Sequence, residues 1–311
     1  MRRLDNIDLR LLRVFVAIAD AHGFADAQIA LNLSQSTLST HLTALERKLG
    51  APLCERGRRG FRLTEFGETT YAAARHLFSD IESFEARLGR GRGKLAGRLR
   101  IGIVDGVVTS QELGLQSAIG RFREYAPDVF LDLSLGTPAE LERWVTDGQR
   151  DLVIGPMSQK APGVRYIAFY REPHALYCGK DHPLFSKKDE AIDRPAIENA
   201  AFSVRGYLHF DDLYRLNHPR PAGTVVHMEA QVMMVLSGRF IGFLPRHIGE
   251  DWVRRGLMRA LKPESYGFAS QHFLAVRMVD ASRPLVSTFV SELLGREIPG
   301  RFAEPSGTVA S

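Results

Sequence analysis

Residues 34–50, S-Q-S-T-L-S-T-H-L-T-A-L-E-R-K-L-G, constrain this chain more than any other stretch. Leu38, Leu42, Leu45 and Leu49 recur at steps of four, three and four, the spacing of one face of an α-helix. Ser36, Thr40, Thr43 and Arg47 keep the same rhythm on the other face, beside Gln35, Ser39, His41 and Lys48. Ser34 is placed to accept a free backbone N–H of the first turn. Gly50 is placed to close the last turn. One face can therefore anchor in a core while the other presents short hydroxyls, an amide and cations, the groups that suit a major groove.

The flanking segments give this helix a context. Asp8–Ala21 reads as a first helix with Leu12, Phe15, Val16 and Ala19 inward, capped by Asp8 and broken by Gly23. Ala25–Leu31 reads as a short second helix with Ala27, Ala30 and Leu31 inward, and Asn32 supplies the left-handed corner. Two helices across a tight turn form a helix-turn-helix. After Gly50, Leu53–Arg56 and Phe61–Leu63 can pair as strands around Gly57-Arg58-Arg59-Gly60, a wing with two arginines at its tip. A basic tip beside such a helix suits phosphates or the minor groove. Thr64–Leu88 reads as one long helix whose stripe, Leu77, Phe78, Ile81, Phe84 and Leu88, invites self-pairing. The run Gly89–Gly97 is a glycine-rich cationic linker.

The order L-R-L-L-R-V-F-V-A-I-A-D, G-F-A-D-A, L-S-Q-S-T-L-S-T-H-L-T-A-L-E-R-K-L-G-A-P-L-C-E-R and R-L-T-E-F-G resembles the N-terminal domain of LysR-type transcriptional regulators. Ala25, Gln28, Thr40 and Cys54 depart from the residues usual there, and Thr40 stands where relatives carry a cation. The resemblance implies an α+β multidomain chain: a winged helix-turn-helix at 1–63, a linker helix and hinge at 64–97, and an effector domain at 98–298. The effector domain would be two-lobed α/β, similar to periplasmic solute-binding proteins. Lobe 1 would take 98–170 and 268–298, lobe 2 would take 171–267, and 299–311 would be a tail. The implied partners are double-stranded DNA, a small-molecule effector and further copies of the chain: a homodimer through the linker helix and a homotetramer through effector domains. RNA polymerase is a candidate further partner.

Charge agrees with that order. Residues 1–97 hold fifteen Lys and Arg against eleven Asp and Glu, so four of the five net positive charges sit in the first third. A basic front on a near-neutral remainder places polyanion binding at the front. No apolar run approaches the ~18 residues of a membrane span, and the first residues lack a signal-peptide pattern. A cytoplasmic chain is the expectation. Its two cysteines, Cys54 and Cys178, stand far apart and read as small buried hydrophobes. The ten histidines show no metal-ligand spacing, so no metal or cofactor is expected.

From Arg98 onward, strand and helix patterns alternate, which implies parallel sheets covered by helices. The chain should cross between lobes near Tyr170–Pro173 and again near Lys262–Gln271. No hydrolase elbow, P-loop or dinucleotide fingerprint occurs, so catalysis is not expected. An effector should lie at strand ends and helix N-termini of the cleft. Those positions hold Asp105, Val107, Thr109 and Ser110, then Gly136 and Thr137, then Pro156, and across the cleft Arg205, Tyr207, Met228 and Glu229. Thr137 matches a position where the resembled family contacts ligand. Helix N-termini and Arg205 favour an anion, whereas Asp105 opposes one. For DNA, the candidates are Ser34, Gln35, Ser36, Thr37, Ser39, Thr40, His41, Arg47, Arg58 and Arg59. The readings from other classes are a sequence-tolerant nucleoid-type binder and a solute carrier.

Overall fold

A computed structural model gives the architecture of the chain and describes residues 6–57, 60–89, 95–157, 160–208 and 211–295. The chain divides into two compact units, residues 1–93 with 147–149 and residues 94–146 with 150–311.

The first unit holds α1 (Asn6–Asp20), α2 (Phe24–Leu31), α3 (Gln35–Leu49), β1 (Cys54–Gly57), β2 (Gly60–Leu63) and α4 (Glu65–Gly89). Helix α1 starts two residues before Asp8, so Asp8 lies in its first turn and not at its cap. The corner between α2 and α3 is Asn32, whose φ of 50° is the left-handed value a tight turn needs. The core of this unit joins Phe15 and Ile18 of α1 to Leu38, Leu42 and Leu45 of α3, all fully buried. Ala27 joins them, whereas Ala30, expected inside, is exposed. Strands β1 and β2 pair antiparallel from Cys54–Leu63 to Gly57–Gly60. Thr64 caps α4 by accepting from Gly67 N at 2.9 Å. A Cβ on Gly67 would stand 1.9 Å from the carbonyl oxygen of Leu53, so only glycine allows that approach. Along α4 the apolar stripe divides: Leu77 and Phe78 pack on the core of their own unit, and Phe84 is 60% exposed. The side chain of Leu88 lies outside the described residues.

The second unit is built on one nine-stranded mixed sheet. Its first part runs β3 (Ala96–Ile103), α5 (Leu115–Tyr125), β4 (Asp128–Leu135), α6 (Pro138–Thr146) and β5 (Leu152–Pro156). The chain continues through β6 (Val164–Gly179), α7 (Arg194–Glu198), β7 (Phe202–Arg205), α8 (Asp211–Leu216), β8 (Gly223–Val225) and α9 (Met228–Leu236). It closes with β9 (Ile241–Pro245), α10 (Arg246–Arg254), β10 (Met258–Ala260), α11 (Pro263–Tyr266), β11 (Phe268–Arg277) and α12 (Pro284–Leu294). The strand order is β4-β3-β5-β11-β6-β9-β7-β8, with β10 also on β6. Strand β3 begins inside the run that reads as linker. The residues from Pro299 lie outside the described ones.

One expectation needs correction. The lobes do not carry two separate parallel sheets but share one mixed sheet. Strand β6 runs unbroken for sixteen residues through the predicted crossing at Tyr170–Pro173. Strand β11 passes back through the second crossing, paired antiparallel with β6 from Phe268–His174 to Arg277–Val164. The register slips between His272 and Phe273, so Phe169 bulges out of the ladder. Each lobe then has its own core. One gathers Ile101, Ile103, Phe122, Ile154, Leu274 and Phe289. In the other, β6 buries both faces: Leu176 and Cys178 join Phe202 and Phe243, while Ala175 and Tyr177 join Met228 and Leu244. Burial on both faces removes the alternation that marks a half-exposed strand.

Candidate nucleic-acid interface and effector cleft

Helix α3 is fixed at both ends by local chemistry. Ser34 Oγ accepts from Thr37 N at 3.2 Å, and Gly50 closes the helix at φ 84°. Glu46 accepts from Leu53 N at 2.8 Å, which ties the helix to the first wing strand. With Leu38, Leu42 and Leu45 fully buried, Ser34, Gln35, Ser36, Thr40, Thr43 and Arg47 are exposed together. Part of the hydroxyl set is engaged within the helix. Ser34 Oγ lies 2.9 Å from Ser36 Oγ and 2.8 Å from Thr37 Oγ1, and Thr40 donates to Ser36 O at 2.9 Å. Ser39 and Thr37 are half-buried. Of the DNA candidates, His41 is half-buried, with its Nε2 shielded from solvent. Arg58 and Arg59 lie outside the described residues.

In the second unit, the floor of a cavity is laid by the paired strands at the crossing. Register places Tyr170 opposite His272, Glu172 opposite Ser270 and His174 opposite Phe268. His174 stacks on Phe268 with ring centroids 4.8 Å apart. Val104, Asp105, Pro156, Arg205, Tyr207, Arg215 and Met228 complete the wall around about 460 Å³ of empty space, part of it open to solvent.

Glu172 is the electrostatic centre of this floor. Burial alone would raise its carboxyl, but hydrogen bonds from His247 and His272 outweigh burial and hold it well below the usual carboxylate range. His247 Nε2 stands 3.2 Å from Oε1, His272 Nε2 stands 3.2 Å from Oε2, and the Tyr170 hydroxyl donates to Oε1 at 3.1 Å. His247 turns its other nitrogen to the Thr109 hydroxyl at 2.7 Å. Thr109, His247 and Glu172 thus form a hydrogen-bonded chain from the 104–114 segment of one lobe to α10 of the other. His174 behaves differently. Burial first, and then the Arg205 guanidinium, push its imidazole down to about 3. Being neutral, it accepts from Arg205 Nη1 at 3.3 Å while Nδ1 donates to Glu172 O at 3.1 Å. Its 3.4 Å approach to the Glu172 carboxylate is then a close contact and not an ion pair.

Arg205 is not waiting for an anion. Two hydrogen bonds, Nε to Oδ2 at 3.2 Å and Nη2 to Oδ1 at 3.1 Å, bind it to Asp212, which has no exposed surface. Burial opposes its charge, and Asp212 more than restores it.

Asp105, Pro156, Arg205, Tyr207 and Met228 therefore line the cavity as expected positions, and six others do not. Val107 is buried in the core of its lobe. Thr109 is exposed and bonded to His247, and Ser110 is buried. Gly136 faces Trp144, whose ring a Cβ there would meet at 2.6 Å. Thr137 and Glu140 form a capping box on α6: both the amide and the hydroxyl of Thr137 donate to Glu140 Oε2 at 2.8 Å. Glu229 is exposed in the first turn of α9. Sequence reasoning missed Val104, Glu172, His174, Arg215, Phe268, Ser270 and His272. Their signal was present: Tyr170, Glu172, His174 and Phe268, Ser270, His272 each repeat at period two, as one face of a strand must. Among the described residues, no set of three His, Cys, Asp or Glu side chains is arranged to hold a metal ion. Nor is any helix among them long and apolar enough to cross a membrane.

Comparison with known proteins agrees with both units. Residues 9–68 match the bacterial regulatory helix-turn-helix family of lysR type, and residues 92–297 match the LysR substrate binding domain. The chain is 34% identical to the HTH-type transcriptional activator BauR of Pseudomonas aeruginosa over 270 residues, covering 86% of this chain and 88% of that one. In fold it is similar to full-length OxyR from Pseudomonas aeruginosa, with a TM-score of 0.65 at 21% identity, covering 94% of this chain and 95% of that one. It is also similar to full-length CbnR complexed with its target DNA, with a TM-score of 0.60 at 18% identity, covering 92% and 98%. Nothing in these likenesses supports a sequence-tolerant nucleoid-type binder. The helix-turn-helix and the substrate binding domain together span nearly the whole chain, and it belongs to the LysR family of bacterial transcriptional regulators.

Proposed function

We propose that this regulator reads double-stranded DNA with α3 and senses a small metabolite in the cleft between the lobes of its second unit. One observation carries the reading: the exposed row of Gln35, Ser36, Thr40, Thr43 and Arg47 lies directly across α3 from three fully buried leucines. A helix so anchored presents its polar groups as a rigid set, which groove reading needs. Gln35 and Ser36 are the base-edge candidates, and Arg47, Arg58 and Arg59 are the phosphate candidates. Pairing of α4 between two copies would set two α3 helices on a dyad, with half-sites about one helical turn, ~10 bp, apart or a multiple of it. Association of two such dimers through their second units makes a tetramer that bends the DNA between them. A metabolite that binds one lobe angle better than the other shifts that assembly. In this reading the chain works in the cytoplasm, without catalysis or cofactor, and meets RNA polymerase at its promoters.

The test is binding of the full chain to upstream DNA fragments, measured by fluorescence anisotropy across a salt series. A localised footprint and a steep salt dependence are expected. Replacing Arg58 and Arg59 together by Ala should flatten the slope of log K against log salt by about one charge unit each. An unchanged slope removes the wing from the interface.

A further inference from the structure

The charges around the cavity differ in whether the protein already balances them, and the difference identifies the ligand. Glu172 receives donors from Tyr170, His247 and His272. Arg205 is held by both oxygens of Asp212, and His174 bonds to Arg205 and to Glu172 O. These groups are committed to one another.

Two charges on the wall are not. Asp105 follows β3, and its side chain keeps 14% exposure. Both of its contacts fall on one oxygen: Met228 N donates to Oδ2 at 2.5 Å, and His227 Nδ1 lies 3.4 Å from that same atom. Oδ1 receives no hydrogen bond from any described residue. The Met228 contact also fills the N-terminus of α9, where a ligand's acid group would otherwise find a backbone donor. Opposite in sign, Arg215 at the end of α8 lies with its guanidinium carbon 4.0 Å over the ring of Phe268. Among the described residues it has no hydrogen-bond or ion-pair partner. Both residues, with Phe268 between Arg215 and the floor, line the same cavity.

We propose that the effector is a small zwitterion whose ammonium group binds Asp105 and whose acid group binds Arg215. This rests on the effector-cleft reading above. A carboxylate alone satisfies Arg215 but leaves Asp105 without a ligand cation, and an amine alone leaves Arg215 unmatched. A molecule carrying both charges answers both. The charge-assisted bonds it makes are stronger than neutral ones.

The proposal is tested on the full chain by thermal shift with three matched sets of probes: linear amino acids of two to six carbons, the carboxylic acids of the same length, and the corresponding primary amines. At least one amino acid should raise Tm where its acid and its amine do not, because a ligand of the native state stabilises by mass action. Asp105→Asn should weaken that probe by about ten- to a hundredfold and narrow the gap between the amino acid and the plain acid. Arg215→Met, at an exposed position, should weaken it comparably and narrow the gap to the plain amine. Equal shifts by the acid alone, or an unchanged preference in both variants, overturn the zwitterion. If no amino acid acts but an uncharged metabolite from a general library does, the charge assignment falls and the sensing role stands. If neither set shifts Tm while DNA binding persists, the effector reading itself fails.

Discussion

Helix α3 and the cleft are both polar sites, yet they are made in opposite ways. The α3 face comes from a contiguous stretch, lies in water, and is held by apolar side chains on its other side. The cleft draws on β6, β7, β11, α8 and α10, and its central charges, Glu172 and Arg205, are buried and held by partners, whereas Asp105 and Arg215 on its wall are not. On α3, therefore, polarity and stability are largely separable: the leucines hold the helix, and beyond the Ser34 cap its exposed polar groups can vary without unseating it. In the cleft they are the same atoms. A charge removed from the floor leaves its partner buried and unanswered, which costs more than the lost contact.

The largest test of this contrast is Arg205→Met. It leaves the fully buried Asp212 carboxylate alone and should cost about 3–5 kcal/mol, measured by urea unfolding of the full chain. Replacing Asp212 by Leu in the same protein should recover most of that loss. Next comes pH. His174 is pushed down to about 3 in the folded protein, so the unfolded chain gains its proton first as pH falls below about 6.5. Stability should then drop by up to about 1.4 kcal/mol per pH unit from that group. Glu172, held low, adds a loss that begins as pH falls through about 4.5. His174→Gln should flatten the upper part of that profile, between pH 6.5 and 4.5, and keep the lower part.

On α3 the effects shrink. Ser34→Ala removes the cap on Thr37 N and should cost about 1 kcal/mol, read as a lower Tm, together with weaker DNA binding from a frayed first turn. Arg47→Ala should change stability by no more than about 0.5 kcal/mol and lower the salt slope of DNA binding by about one. A stability loss from Arg47→Ala as large as that from Arg205→Met would erase the distinction.

The same contrast explains what the amino-acid order disclosed. The stripe of Leu38, Leu42 and Leu45, the cap at Ser34 and the corner at Asn32 are local, and each is realised in the structure. The cleft depends on which strands become neighbours. Tyr170–Pro173 was expected as a crossing between lobes, but that it is continuous strand depends on the pairing of β6 with β11, a contact between residues about a hundred positions apart. Arg205 was found in the right place with the wrong role, since Asp212 sits on a helix seven residues later and its aim depends on the fold. Thr137 shows the reverse. The T-x-x-E spacing to Glu140 was open to reading as a capping box, and that is how its donors are used.

The joint between the lobes has a mechanical consequence. No loop serves as pivot, because the two connections are strands bonded to each other through the crossing, with one bulge at Phe169. A change of lobe angle must be taken up as torsion along this ribbon, distributed over many small backbone rotations with the ladder intact. Such a joint works as a torsion bar rather than a door hinge: it has a resting angle, resists displacement in either direction, and returns when the load is removed. A molecule between the lobes then registers as torque, and its size and grip set how far the bar turns.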